Sequence, residues 1–432
     1  MIVPVDETGV IACLREASAA HIPVTIAGAG TGITGARVPL EGWVLSLEKL
    51  NRLDVYQGYA MVGPGALLRD VHAAAQRSGQ FYPPDPTETA AAIGGTIATN
   101  ASGSRSFKYG STRRWVDCLR VVLSDGQVMD VARGDAIDFD PGYIPLPQTT
   151  KNTAGYPLRP GMDWVDLFAG SEGTLGVVTA ARLKLAPAPK ALLSGVVFFT
   201  SDDQALAFVE RGRAEASPTM LEYMDVNSLA LLRARYTDIP KDAVTAILVE
   251  QELTSDDDPE MDRWLERIEE SGALTEGSWF ATSAADRERF RQFRHTLPEL
   301  VNDTVRRSGA LKMNTDYAVP FDRNREMLSY YRSRLEEEFP GRYVIFGHIG
   351  DAHVHVNLFS SPENPKHASD LLLEFARQAV ALGGTVSAEH GLGKRKAHLL
   401  KLQYTAEQLD LMLAVKRRLD PSNTLGRATL FA

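Results

Sequence analysis

Cysteine is scarce in this chain: there are two, Cys13 and Cys118, among 432 residues. Their separation matches no metal-binding spacing, and two thiols build no disulfide framework. Both are expected as plain core residues of a protein kept in a reducing cytoplasm. Long apolar runs are missing too. No stretch reaches the ~18 residues that a membrane-spanning helix needs, and the first residues carry no basic-then-apolar leader. The chain is therefore expected to be soluble, with docking at the inner face of a membrane left open. Basic excess is absent: 46 Lys and Arg stand against 55 Asp and Glu, for a net charge of −9. That excludes the electrostatic footprint of a nucleic-acid binder or a polybasic anchor. The acidic excess is diffuse apart from Asp256–Asp258, which reads as a helix start. Internal repeats and low-complexity tracts are also lacking. At this length, two or more domains with sizeable cores are expected.

Histidine is sparse as well, nine in all, yet three fall within Gly347–Asn357. After the Gly350-Asp351 turn the residues alternate, with His353, His355 and Asn357 against Val354, Val356 and Leu358. Period-two alternation predicts a strand with the polar side chains on one face. His348 precedes the turn and can fold back toward that face. An imidazole-bearing face suits metal ligation or proton transfer. The plainer reading is an edge strand facing water. Weighing against it is Ser387-Ala-Glu389-His390-Gly391 downstream. One Glu with two His from separate segments makes a mixed nitrogen and oxygen set suited to zinc or manganese.

The first 190 residues are rich in glycine, alanine and short β-like runs. A helix is predicted over Thr8–Ala20 and a strand over Pro23–Ala27. The strand leads into Gly28-Ala-Gly-Thr-Gly32-Ile-Thr-Gly35, where glycines let backbone N–H groups crowd a phosphate. A strand rather than a helix follows, at Trp43–Leu47, so this is not a dinucleotide-fold fingerprint. Another strand, Ala60–Gly63, precedes a helix with Leu67, Leu68, Val71, Ala74 and Ala75 on its apolar face. Thr87–Ser106 has almost no large side chains beyond Ile93 and Ile97, which lets a flat or extended ligand lie against the backbone. Ser124-Asp125-Gly126 predicts a hairpin between Cys118–Leu123 and Gln127–Val131. Residues 134–150 read as loop, Val177–Leu185 as strand and Pro187-Ala-Pro189 as linker.

From Ala191 the helices lengthen. Strands are predicted at Leu192–Phe199, Val244–Glu250 and Tyr343–Phe346. Helices are predicted at Asp202–Ala214, from near Ser255 past Trp264, over Arg287–Arg307 with an interruption at Pro298, and at Asp322–Phe339, Leu371–Ala381 and Glu407–Leu419. Strands alternating with amphipathic helices predict a mixed α+β second domain.

The ordered set of motifs is more specific than any one of them. It comprises Gly28–Gly35, Ile93-Gly-Gly-Thr-Ile-Ala-Thr-Asn100, Lys108-Tyr-Gly110, Lys151-Asn-Thr-Ala-Gly-Tyr156, Gly170-Ser-Glu-Gly-Thr-Leu-Gly176, the histidine strand and Ser387–Gly391. Together it resembles the FAD-linked D-2-hydroxyacid dehydrogenases, of the D-lactate dehydrogenase and glycolate oxidase flavin-subunit type, within the vanillyl-alcohol oxidase/p-cresol methylhydroxylase (PCMH) superfamily. The resemblance implies an α+β architecture: a PCMH-type FAD-binding domain of two subdomains over 1–188 and an α+β cap over 191–430. It implies that FAD is held by Gly28, Ala29, Gly30, Thr31, Gly32, Pro84, Gly94, Gly95, Thr99, Asn100, Ser102, Gly103, Gly173 and Val178. It also implies His348, His355 and Glu389 as ligands of a divalent metal, His390 as catalytic base, Arg294 as the clamp on a substrate carboxylate and Asn357 as an active-site residue. No histidine lies in the first glycine-rich loop, so the flavin is expected to be non-covalent.

Some positions depart from the family pattern. Ala27-Gly-Ala-Gly30 lacks the usual arginine, and a lysine expected just before Asp316 stands at Lys312. The leading segment of many relatives is missing, so the start is expected to be truncated. The implied reaction is oxidation of a small D-2-hydroxy acid, D-lactate or glycolate, to the 2-oxo acid, with hydride to flavin. D-2-hydroxyglutarate is the alternative substrate. With no iron–sulfur cysteine pattern, electrons leave to a separate quinone, cytochrome or electron-transfer protein; a homodimer is compatible with the sequence. The competing classes are a metal-dependent hydrolase, a redox-neutral flavoprotein of the same superfamily and a non-catalytic flavin subunit. Lys108 and Lys151 read by default as solvated, and His353 as structural.

Overall fold

The Ser124-Asp125-Gly126 turn behaves as its composition predicts. Gly126 takes φ +79°, which an L side chain resists. Asp125 Oδ1 accepts from the Gln127 amide at 2.8 Å, and strands Val116–Val122 and Val128–Ala132 pair antiparallel on either side. In this computed structural model, which describes residues 1–255, 257–281 and 283–431, that hairpin ends a five-stranded antiparallel sheet. The spatial order is Leu53–Tyr56, Tyr59–Val62, Val177–Lys184, Val116–Val122, Val128–Ala132. Cys118, expected in the core, is only half-buried on its strand, whereas Cys13 is buried.

Beside it, Val24–Ala27 and Trp43–Ser46 form a parallel pair. Helix Glu7–Ala19, capped by Asp6 on the Gly9 amide, packs Val10, Leu14 and Ala17 against Val24 and Leu45. The end of the chain returns here: the Val24 amide donates to the Thr424 carbonyl at 2.7 Å, and Leu425 joins the same apolar cluster. The first compact unit therefore comprises Met1–Pro147, Lys151–Ala188 and everything from Thr385 onward; the second is Gln148–Thr150 with Pro189–Gly384.

The second unit carries a seven-stranded antiparallel sheet. Its order is Trp279–Ala281, Ala191–Phe199, Thr245–Leu253, Met220–Met224, Tyr343–His348, His353–Ser360, Leu311–Asn314. The histidine strand thus lies inside the sheet, not at a wet edge. Four differences from the sequence reading have local causes. Helix Ala284–Ser308 runs unbroken through Pro298. A proline inside a helix costs about 3 kcal/mol, but burying Phe290, Phe293, Leu297, Leu300 and Val301 returns roughly 1.5–3 kcal/mol each. The next helix expected near Ser255 starts only at Glu260, because Pro259 cannot donate within a helix and is tolerated only at its start. Asp258 instead closes a turn on the Thr254 and Glu260 amides; Asp256, part of the expected helix start, lies outside the described residues. The helix expected from Asp322 starts at Asn324, after a 3-10 turn at Phe321–Arg323. Finally, within the small-residue stretch to which the sequence reading gave no element, Ile93–Ala98 is a short helix, since Ile93 and Ile97, four apart, are both fully buried. Among the described residues no helix is long and apolar enough to cross a membrane.

Asp225 caps helix Val226–Leu232 by accepting from the Ser228 amide and hydroxyl. Burial pushes its carboxyl up to about 6, above the ordinary 3.8. A raised folded-state pKa favours the protonated form, so this stabilising contribution is present below pH ~4 and is lost as pH rises to ~6. The span is worth about 3 kcal/mol. Asp225→Asn is expected to flatten that part of the profile of urea unfolding against pH; an unchanged slope would assign it to other groups.

Candidate active site

Three glycine-rich stretches converge within the first unit. A Cβ on Gly28 would stand 3.2 Å from the Ala92 Cβ and 3.8 Å from the Gly95 nitrogen. The Gly170 amide donates to the Ile97 carbonyl at 2.9 Å and the Glu172 amide to the Ala98 carbonyl at 2.8 Å. A Cβ on Gly173 would meet Ile26. Asn100 is buried at φ +49° and accepts from the Arg113 amide. A Cβ on Gly32 or on Gly95 would meet nothing within 4 Å, so these backbones border open space. Gly103 packs on the Asp85 carbonyl, beside Pro84, whose own carbonyl meets His72 Nε2 at 2.9 Å. Thr99 turns its hydroxyl back to the Gly95 carbonyl, and Val178 sits half-buried on the adjoining sheet. Small residues with open space above the backbone suit a long, flat cofactor such as FAD. Gly94 packs on its other side, where a Cβ would strike Pro64 at 2.6 Å.

The same motifs also clamp the Ser387–Gly391 loop. Thr153 donates its amide to the Ser387 carbonyl at 2.8 Å, and its hydroxyl accepts from the Gly391 amide at 3.2 Å. Glu172 takes the Leu392 and Gly393 amides, one on each oxygen, both at 2.8 Å. Gly391, at φ +71°, has to be glycine because a Cβ would strike the Glu172 carboxylate at 2.7 Å. Lys151 is not a solvated lysine. Its side chain is 1% exposed; Nζ donates to Glu389 Oε1 at 2.5 Å and to the Gly103 carbonyl at 3.0 Å. Ser102 adds a second donor to that carboxylate, reaching Glu389 Oε1 at 3.0 Å. So Glu389 is a buried, charge-paired carboxylate, next to a half-buried His390. Lys108 lies half-buried with its ammonium over the Tyr109 ring.

In the second unit the histidine strand pairs with Tyr343–His348, placing His348 opposite His353 and Phe346 opposite His355. One ring nitrogen from each of the three histidines lies within 4.8 Å of the others. His355 Nδ1 meets the Thr315 carbonyl at 3.2 Å, and His348 Nδ1 meets the Glu222 carboxylate. Both acceptors lack a proton to give. With Nδ1 donating in both contacts, the neutral ring would carry its lone pair on Nε2, the tautomer a metal ligand needs. His353 differs: its Nε2 faces Asp316 Oδ1 at 3.3 Å, both side chains fully buried. This donor set fits zinc or manganese. Asn357 is buried further along the strand. Arg294 Nε donates to Glu222 at 2.9 Å, with its side chain 15% exposed, so it is an ion-paired group and not a solvated helix charge. Lys312 gives its ammonium to Asn302 Oδ1 at 3.0 Å.

Sequence reasoning missed Glu222, Asp316 and Glu172 as parts of these networks. Glu222 had a signal: a lone charge inside Met220-Leu-Glu-Tyr-Met224, on a strand otherwise apolar.

Comparison with known proteins adds to this geometry. The family "FAD linked oxidases, C-terminal domain" matches residues 188–429, and "FAD binding domain" matches residues 1–132. A D-lactate dehydrogenase of Archaeoglobus fulgidus is 30% identical, covering 98% of this chain and 89% of that protein. A D-2-hydroxyglutarate dehydrogenase of Xanthomonas citri is also 30% identical, with coverage of 97% and 86%. An alkyldihydroxyacetonephosphate synthase structure superimposes with a TM-score of 0.71 at 16% identity, covering 98% of this chain and 75% of that one; this likeness concerns fold alone.

Removing the Lys151 charge should strand a buried carboxylate. Lys151→Met is expected to lower stability in urea unfolding by about 3–5 kcal/mol, and Lys151→Met with Glu389→Gln to recover most of it. A loss under about 1 kcal/mol for the single change would mean that the pair does not form.

Proposed function

This chain belongs to the FAD-linked oxidases and is an FAD-dependent oxidoreductase, and from that premise we propose that it oxidises a small D-2-hydroxy acid, D-lactate or glycolate, to the 2-oxo acid. The observation that carries the proposal is the pair His348 and His355, each with Nδ1 against an acceptor, the Glu222 carboxylate and the Thr315 carbonyl, and with ring nitrogens clustered within 4.8 Å. They would hold a divalent ion; Gly28, Ala29, Gly30, Thr31, Gly32, Gly94, Gly95, Thr99, Asn100, Ser102, Gly103, Gly173, Val178 and Pro84 would line the FAD site. When bound, FAD supplies the acceptor for the C2 hydride and the ion lowers the pKa of the substrate hydroxyl.

The residues do the rest. Arg294, oriented through Nε, would present its terminal nitrogens to the substrate carboxylate, and a fork of two charge-assisted bonds fixes C2. His390 would take the hydroxyl proton as general base. Asn357 would lend a side-chain amide to the substrate. The substrate would give up two electrons and one proton as hydride and its second proton to His390, and a separate acceptor, quinone, cytochrome or electron-transfer protein, would take the electrons onward. The similarity to the Xanthomonas protein supports D-2-hydroxyglutarate as the second candidate substrate.

Anaerobic titration of the purified yellow protein tests this. Bleaching of the flavin's visible band by D-lactate or glycolate is expected; bleaching by D-2-hydroxyglutarate alone moves the substrate assignment, and no bleaching by any of the three refutes the reaction. Arg294→Lys keeps the charge but loses the fork, so KM should rise about tenfold or more with the flavin spectrum intact. Unchanged kinetics would remove Arg294 from that role.

A further inference from the structure

The carboxylate that touches both His348 and Arg294 has no role in the reaction described above. Glu222 stands in the middle of strand Met220–Met224 and is 3% exposed. Its Oε2 accepts from Arg294 Nε at 2.9 Å, and its Oε1 accepts from His348 Nδ1. The backbone sets this meeting. In the antiparallel ladder Tyr223 is registered opposite Gly347, so Glu222 and His348 each lie one residue from a fixed pair. Arg294 comes from helix Ala284–Ser308, whose Phe293 and Leu297 are locked in the core of the same unit.

We propose that Glu222 is a positioning residue with two clients: it fixes the His348 tautomer and ring orientation, and it turns the Arg294 guanidinium through Nε. This rests on the reading of His348 as a metal ligand and Arg294 as a carboxylate clamp. A salt bridge that served folding alone would need only the arginine. Here the second oxygen is given to an imidazole on another strand. His355 receives equivalent treatment from a chemically different acceptor, the Thr315 carbonyl. Two unrelated acceptors impose the same tautomer on two histidines whose ring nitrogens lie within 4.8 Å of each other. Folding does not require that coincidence, whereas metal ligation does.

One carboxylate with two clients has a signature that neither client has alone. In full-length, FAD-loaded protein, Zn²⁺ affinity is measured by competition with a chromophoric chelator, and KM for the hydroxy acid by steady-state kinetics. Glu222→Gln is expected to weaken Zn²⁺ binding about 10- to 100-fold and to raise KM, with flavin content and visible spectrum unchanged. Arg294→Lys is expected to raise KM while Zn²⁺ affinity stays within about threefold of wild type. Glu222→Asp keeps the buried charge but draws the oxygens back by about 1.5 Å, so it too should lose Zn²⁺ affinity. This second variant serves if the glutamine form does not fold. Charge compensation alone would instead make aspartate equivalent to the wild type. Wild-type Zn²⁺ affinity in both Glu222 variants, with binding lost in His348→Ala, overturns the positioning role and leaves the metal reading intact. Failure of the wild-type protein to bind Zn²⁺, or full binding by His348→Ala, overturns the ligand assignment and the Glu222 proposal together.

Discussion

A carboxylate withdrawn from water has to be met by cations or hydrogen-bond donors, and that constraint organises both halves of this protein. In the first unit Glu389 is met by Lys151 and Ser102, and Glu172 by the two amides that follow Gly391. In the second, Glu222 is met by Arg294 and His348, and Asp316 faces His353. Breaking such a pair costs about 3–5 kcal/mol, several times what a surface ion pair contributes. Each therefore holds its partners in one geometry.

The periodic parts of the fold were legible in the sequence because their cause is local. The His353–Ser360 strand, the turn at Asp125-Gly126 and helices such as Glu7–Ala19 follow from alternation, turn chemistry and caps. Where reading failed, a distant cause overrode a local rule. Pro298 should break a helix, but five buried side chains around it hold the helix together. Ile93–Ala98 has two glycines and still turns, because its isoleucines are pulled to one side.

The candidate site divides the same way. Its glycine-rich stretches and histidines announce themselves as motifs, and the family description covers most of the chain on that basis. Its pairings do not. Lys151 meets Glu389 across 238 residues, loop against loop, and His348 meets Glu222 across 126, where strand register decides who faces whom. A lysine with no apolar neighbours in sequence reads as solvated by default; only the folded unit shows it 1% exposed. The lone glutamate in an apolar strand was the one clue available in advance.

The central proposal is that His348 and His355 of the second unit are ligands of a divalent ion in a flavoprotein. The most direct measurement is the zinc-to-flavin ratio of protein loaded with excess Zn²⁺ and then desalted, from elemental analysis and visible absorption. The account predicts about one ion per flavin, as expected for a three-ligand catalytic site with an open position. Yellow protein that retains no zinc or manganese, or colourless protein that FAD does not restore, would contradict it.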